Sequence, residues 1–437
     1  MLINLLLIVL VLVSVGVFVM LPPLGALVLL VVIGLWLGLT RRGRQAVVVT
    51  GVGLSTLAQR RGSSAVIVVG IAGVVGVLVA LLAMAEGYTQ TLRQTGGEDT
   101  VIIMRGGSAS EVSSVLGQEE IVQIQQAAAI ARDAKGEPLA TAEGVFAVTL
   151  PLAGGKGEDD TGSVQIRGIS AKTFEVRTQA KIIEGRMPTP GLRELVAGKG
   201  AARQFEGLVP GREVKLGTQP WTVVGVFSSG DAMESEIWGD AATLADAYRR
   251  GSSRNSITAR LTSAKAIESL KSELAANPQL KIDVMTTVEF FAKQSERMAQ
   301  VITVVGITIG TIMAIGATFG ALNTMFAAVA ARAREIATLR AIGFQGAPVV
   351  VAVMIETLLL ALLGGLLGAL IAWLLFNGKG ASTMAAGSVG KLSFELLVSP
   401  ALIWTGVKWS LAIGFIGGLF PAVRAARMPV TEALREA

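Results

Sequence analysis

The chain contains no cysteine and no histidine in 437 residues, and only 16% of them are charged. Without cysteine there is neither a disulfide framework nor a thiolate ligand or nucleophile. Without histidine the commonest transition-metal ligand and the usual acid–base shuttle are missing, which excludes histidine triads and HExxH zinc sites. Apolar residues, by contrast, make up 52% of the total, and the mean hydropathy is +0.62. Such a chain is too apolar for an ordinary soluble protein and reads as a membrane protein. A net charge of +6 would point to nucleic acid in a soluble chain, but in a membrane chain the position of each positive residue matters more than the total.

Apolar runs long enough to cross a bilayer, about 17 to 25 residues, occupy 2–20, 65–85, 301–329, 349–376 and 401–423, and a weaker run covers 24–39. Leu21, Pro22 and Pro23 separate the first run from the weaker one, and a proline pair ends a helix and constrains the residue before it. The opening pair therefore reads as a hairpin and the whole as six spans. A signal peptide is the alternative for the first run. No positive flank precedes it and no small-residue cleavage site lies ahead of Pro22, so retention is expected.

Orientation follows from basic residues in short loops. Arg41, Arg42, Arg44, Arg60 and Arg61 precede the run at 65–85, Arg332, Arg334 and Arg340 follow the run at 301–329, and Arg424 and Arg427 follow the last. The positive-inside rule makes these loops cytoplasmic and places both termini inside. Residues 87–297 then lie outside, with 24 Lys+Arg against 26 Asp+Glu, so the basic excess belongs to the cytoplasmic face and nucleic acid drops out.

The outer segment mixes two textures. Short β-branched or alternating runs at 101–105, 164–168, 195–197, 213–216, 221–227 and 256–261 read as strands. Helical spacing covers 110–132, 241–249 and 264–276, the last with Ser263 as cap and Asn277-Pro278 as stop. An α+β domain is expected. Residues 288–343 contain no proline; if 288–330 is one helix, its 43 residues span roughly 65 Å, about twice the hydrocarbon core. Half of it then projects outside as a stalk, as does the end of the helix from Ala65; a flexible junction after Arg297 is the alternative.

No enzyme signature emerges. Gly198-Lys199-Gly200 and Gly155-Lys156-Gly157 lack the Ser/Thr of a phosphate-binding loop and read as turns, and Asp159-Asp160 reads as a solvated turn. Neither a catalytic nor a metal site is expected. Small residues punctuate the spans: Gly70, Gly73 and Gly76; Gly306 and Gly310; Gly316 and Gly320; Gly364, Gly365 and Gly368; Gly414, Gly417 and Gly418. They let helix backbones approach closely, within one chain or between two. Glu356, a third of the way into its run, reads first as a helix-packing hydrogen bond or an ion pair and second as a proton or substrate contact. In 332–343, Ile336, Leu339 and Ile342 share one side and the charges Arg332, Arg334, Glu335 and Arg340 the other, with Gly343 as cap. An apolar stripe on a cytoplasmic helix calls for a partner groove.

The motif Arg332-x-Arg-Glu-Ile-x-x-Leu-Arg-Ala-Ile-Gly, the Glu356-x9-Gly-x-x-Gly span and the ending Gly417-Gly-Leu-Phe-Pro-Ala-Val-Arg-Ala-Ala-Arg-Met-Pro-Val-Thr-Glu-Ala-Leu-Arg resemble the permease subunits of MacB/FtsX/LolC-type, or type VII, ABC transporters. Residues 183–186, 208–211 and 221–227 are similar to the periplasmic core domain of that family. The resemblance covers about 54–435 and implies a four-span permease that works as a homodimer with separate cytoplasmic ATPase subunits, which bind the ATP and Mg; no cofactor is expected in this chain, which has no Walker motif. It makes Arg332, Arg334, Glu335, Ile336, Leu339, Arg340 and Gly343 the ATPase-coupling helix and the spans from Ala65 and Val301 the dimer contact. It further implies mechanotransmission to the outer domain for export or extraction of a hydrophobic or amphipathic substrate, with a periplasmic adaptor or membrane fusion protein as a further partner. A signal transmitter of FtsX type, activating an external wall hydrolase, is the alternative within the family.

The expected product is an integral α-helical protein of the bacterial inner membrane with a large extracytoplasmic α+β domain. Its parts are a hairpin (1–40), a basic segment (41–62), a span with stalk (63–95), the core domain (96–287), a stalk with span (288–330), the coupling helix (331–347), a span (348–376), a loop (377–400), a last span (401–423) and a tail (424–437). The hairpin lies outside the family's four-span pattern.

Overall fold

The computed structural model describes residues 11, 13–57, 61–108, 110–155, 160–384 and 390–429. The chain divides into two units: Met1–Met84, Ile302–Asn377 and Leu397–Ala437 form one, and Ala85–Val301 with Gly378–Leu396 the other.

The first unit includes helical residues 13–20 and the helices α1 (Pro23–Leu39), α2 (Arg41–Leu57), α3 (Arg61–Arg93), α4 (Thr287–Ala330), α5 (Ala333–Ala341), α6 (Gly346–Phe376) and α7 (Pro400–Arg427), of which α3 and α4 continue into the second unit. Four of them, α3, α4, α6 and α7, are long and apolar enough to cross a membrane. The sequence leads to an expectation of six spans; the described residues hold these four, or five if the bent pair α1–α2 is one span, and the run at 2–20 lies largely outside them. Helix α1 is 17 residues long and starts with Pro23 at its first position, where a missing N–H costs nothing. It meets α2 at a 94° bend. Thr40 makes the corner: its hydroxyl donates to Trp36 O at 2.8 Å and accepts from Gly43 N at 2.9 Å. Only glycine fits at 43, because a Cβ there would lie 2.6 Å from Leu37 Cα.

Helix α4 is unbroken over 44 residues, about 66 Å at 1.5 Å per residue. The helices of this unit pack through small residues. A Cβ on Gly364 would lie 2.8 Å from Val68 O, one on Gly418 2.8 Å from Thr357 Oγ1, and one on Gly417 2.8 Å from Ala321 Cβ. Ile71, Val75, Val79, Ala361, Ile413 and Ala422 fill the core that these approaches create.

The second unit is built on a ten-stranded sheet of β1 (Thr100–Arg105), β2 (Ala140–Pro151), β3 (Thr161–Ile169), β4 (Lys181–Gly185), β5 (Glu194–Gly198), β6 (Glu213–Leu216), β7 (Gln219–Ser228), β8 (Ile237–Asp240), β9 (Ser256–Arg260) and β10 (Ile282–Thr286). Their order is β10-β1-β9-β2-β3-β8-β5-β7-β4, with β6 on β7. Pairing is antiparallel except for β3–β8 and β5–β7. One core gathers Val101, Ile121, Ile257 and Leu270, and another Phe146, Ile166, Trp221 and Leu244.

Two expectations need correction here. The helix expected over 110–132 shrinks to Gln118–Gln125, because Leu116 and Ile130 are drawn into β-bridges with Arg254 and Leu261. The segment expected as a loop at 377–400 folds instead into a hairpin, β11 (Gly380–Met384) and β12 (Lys391–Glu395), which belongs to the second unit. Ser393 N donates to Ser235 Oγ at 2.8 Å, and Phe394 meets the Tyr88 ring edge-on at 5.6 Å.

Candidate functional site

Helix α4 ends at Ala330, and α5 begins after Arg332, its N-cap. The Arg332 guanidinium reaches two ways: Nε donates to Glu335 Oε2 and Nη1 to Glu356 Oε2 on α6, both at 3.0 Å. Arg332 is 11% exposed and Glu356 5%, so this bond is partly buried, whereas Glu335 stands 49% in solvent. A cation and an anion are tolerated at such depth as a pair. The other end of α5 closes in a Schellman motif, with Gly343 at φ +104°, Gly343 N donating to Arg340 O at 3.2 Å and Phe344 N to Leu339 O at 3.1 Å. Arg340 itself donates to Met428 O.

Between these ends α5 turns Ile336 and Ala337 inward, Ile336 joining Met325, Val329 and Val353. Leu339 and Arg340 are half-buried; Arg334, Glu335, Thr338 and Ile342 are exposed, Ile342 at 69%. The stripe of Ile336, Leu339 and Ile342 expected to serve a partner is therefore split, since the chain's own core claims Ile336. What remains outward is a mixed face around Ile342.

A second polar assembly lies in the α/β unit. Arg167 on β3 is 1% exposed and donates from Nη1 and Nη2 to Glu111 at 2.5 and 3.0 Å, from Nε and Nη2 to Glu236 at 2.7 and 2.8 Å, and from Nη1 to Glu143 at 2.8 Å. Arg177 closes on Glu143 and donates to Thr258 Oγ1 at 3.0 Å. Gln165, Trp238 and Ser256 complete the acceptors' shells at 2.6, 2.8 and 2.5 Å. Burial pushes the Glu111 carboxyl up, but Arg167 and the hydrogen bonds from Arg167 and Ser256 outweigh it and hold it below the usual range. A small cavity lined by Glu111, Arg167, Arg177, Asp231, Thr287 and Phe291 adjoins the cluster. Every member is hydrogen-bonded, the arrangement of a structural keystone rather than of a reactive centre.

Residues 64–277 match the family of the MacB-like periplasmic core domain, and residues 307–430 match the FtsX-like permease C-terminal. The chain belongs to the MacB/FtsX-type permeases. Among curated relatives, the uncharacterized ABC transporter permease YknZ of Bacillus subtilis (strain 168) is 26% identical over 406 residues, 87% of this chain and 97% of that protein. The macrolide export ATP-binding/permease protein MacB of Photorhabdus laumondii subsp. laumondii is 27% identical over 235 residues, 52% of this chain and only 35% of the relative. Among solved structures, the extracellular domain of YknZ covers 43% of this chain at 18% identity with a TM-score of 0.33. The periplasmic region of MacB from Actinobacillus actinomycetemcomitans covers 46% at 16% identity with a TM-score of 0.34.

The permease uses its glycines in two ways. Gly306 and Gly310 lie against Leu81 and Leu78, with Cβ positions 3.2 and 2.7 Å from those side chains, and Gly76 faces Gly368 O at 3.5 Å. Gly70, Gly73, Gly316 and Gly320 meet nothing within 4 Å. Of the suspected loops, Gly198-Lys199-Gly200 is the junction from β5 into a short helix, while Lys156, Gly157, Asp159 and Arg60 lie outside the described residues. Sequence reasoning missed three participants: the Arg167 cluster, Gly53 on α2, and Lys408, a lone cation within the last apolar run whose isolation was itself a signal.

Proposed function

We propose that the chain is the permease subunit of an ABC transporter, coupling ATP hydrolysis by a separate cytoplasmic ATPase to movement of an extracytoplasmic α/β unit, and thereby driving export or extraction of a hydrophobic or amphipathic substrate. The observation that carries this reading is α5: a short helix fixed at both ends, by the Arg332–Glu356 pair and by the Gly343 cap, whose outward residues Arg334, Thr338 and Ile342 are exposed among the described residues. Rigid fixation on one side and a free mixed face on the other suit a docking lever. The unbroken α4, joined to α5 by two residues, supports transmission along a stiff element rather than passage of substrate between helices. The open faces at Gly70, Gly73, Gly316 and Gly320 supply the surface for a second copy, as in a homodimer. ATP and Mg are then held by the ATPase, and a periplasmic adaptor or membrane fusion protein completes the assembly.

The test is co-purification of the ATPase from native membrane. Ile342→Asp and Glu335→Lys alter the outward face and should lower ATPase recovery at least tenfold while the permease stays monodisperse; Leu339→Asp should do so with some loss of stability. Unchanged recovery with all three variants refutes the docking assignment.

A further inference from the structure

We propose that α2 is the positioning element of the coupling site, seating the Arg332–Glu356 pair through the backbone of Gly53 and so setting the orientation of α5. The significance of that orientation rests on the reading of α5 as the ATPase-docking helix, but the placement itself does not.

Helix α2 buries Gly43, Ala46, Val49, Thr50 and Gly53, spaced to form one helical face, and leaves Arg41, Arg42, Val47, Val48 and Val52 exposed. At the far end of that face, a Cβ on Gly53 would lie 3.3 Å from Arg332 Nη1 and 3.3 Å from Glu356 Oε2, tighter than ordinary contact. The ion pair thus closes over the bare α2 backbone at Gly53, and any side chain there would crowd both of its members. Arg332 is also the residue from which α5 starts: its carbonyl accepts from Ile336 N at 3.0 Å, and its Nε holds Glu335 in the first turn. Displacing the guanidinium frees that turn.

The N-terminal segment is fastened at its other end as well. Pro23 has no N–H, so the helix ending at Met20 cannot satisfy Val19 O in the usual way. Lys408 Nζ on α7 takes over, donating to Val19 O at 2.6 Å and to Leu21 O at 3.4 Å. The segment is thus held to α7 at its turn and to Arg332 and Glu356 at Gly53, with the 94° corner at Thr40 between the two attachments.

The absence of native cysteine makes a direct test clean. Thr338 on the exposed face of α5 is replaced by cysteine in the full chain, spin-labelled, and read by electron paramagnetic resonance in lipid nanodiscs. Gly53→Val should raise the mobile fraction of the label about tenfold, the effect of losing a hydrogen bond to a charged partner. Arg332→Ala should do the same, and the double variant should add nothing to either. Gly51→Val, at a position with nothing within 4 Å, should match the parent. Should Gly53→Val fail to fold, Gly53→Ala gives a smaller shift in the same direction. The inference is overturned if the Gly53 variants leave the label as in the parent, or if the Gly53→Val and Arg332→Ala effects add fully. Since no ATPase is present, a failure of ATPase co-purification leaves this result untouched.

Discussion

Replacing Arg167 by methionine tests what holds the α/β unit together. The substitution keeps the apolar stem and removes five hydrogen bonds to Glu111, Glu143 and Glu236, leaving three buried carboxylates of which Arg177 still bonds Glu143. Removing one partner from a buried ion pair costs about 3–5 kcal/mol, because the orphaned charge stays desolvated. At roughly 2–4 °C per kcal/mol for a unit of this size, the melting temperature should fall by about 10 °C. The pH dependence should also change sign. In the parent, the ionised Glu111 contributes stability that is present above its unfolded value of 4.5 and is lost as pH falls through its depressed folded value. Without Arg167, burial dominates and raises the Glu111 carboxyl, so the variant should be most stable below that value and lose stability as pH rises. Near-ultraviolet circular dichroism of the full chain in detergent reads both effects, since Trp238 is bonded to Glu236 and stacked on Phe227 at 3.9 Å. Adding Glu111→Gln should recover part of the loss at neutral pH. A fall of under about 2 °C, or no recovery, would show that the cluster is not the keystone.

Lys408→Met should leave Val19 O without its donor and destabilise the full chain by about 1–3 kcal/mol, read as a lower melting temperature in detergent. Gly364→Val, driven into Val68 O, should abolish stable expression, whereas Gly70→Val, facing open space, should leave the monomer's fold intact; size-exclusion chromatography distinguishes them. Glu194 is held at about 2 by the Arg186 guanidinium and by Thr189, so its contribution is present above pH 4.5 and fades as pH falls from there toward 2. Glu194→Gln should remove that dependence at a cost of roughly 1 kcal/mol or less at neutral pH, because Arg186 is well exposed.

The apolar runs at 65–85, 349–376 and 401–423 are legible because a bilayer demands long uninterrupted stretches, and α4 because 288–330 holds no proline to break it. Strand β2 is not: Ala140–Pro151 is buried on both faces over most of its length, so the alternation that betrays a strand is missing. Nor is the Arg167 cluster. Arg167 and Glu236 are brought together only by the parallel β3–β8 ladder, in which Arg167 is paired with Trp238, and no local spacing encodes such a meeting. The contact at Gly53 is invisible for a different reason: a glycine in a helix announces close approach but not to what.

The β11–β12 hairpin also bears on how the α/β unit can be handled in isolation. Cutting the gene at residues 85 and 301 yields a soluble-looking product that lacks one of its own pieces, since Gly378–Leu396 is encoded far downstream. Such a product leaves Ser235 without its bond to Ser393 and strips Phe394 from Tyr88. A faithful excised version must graft the downstream ribbon back on, and binding data gathered without it describe a molecule with an artificial seam.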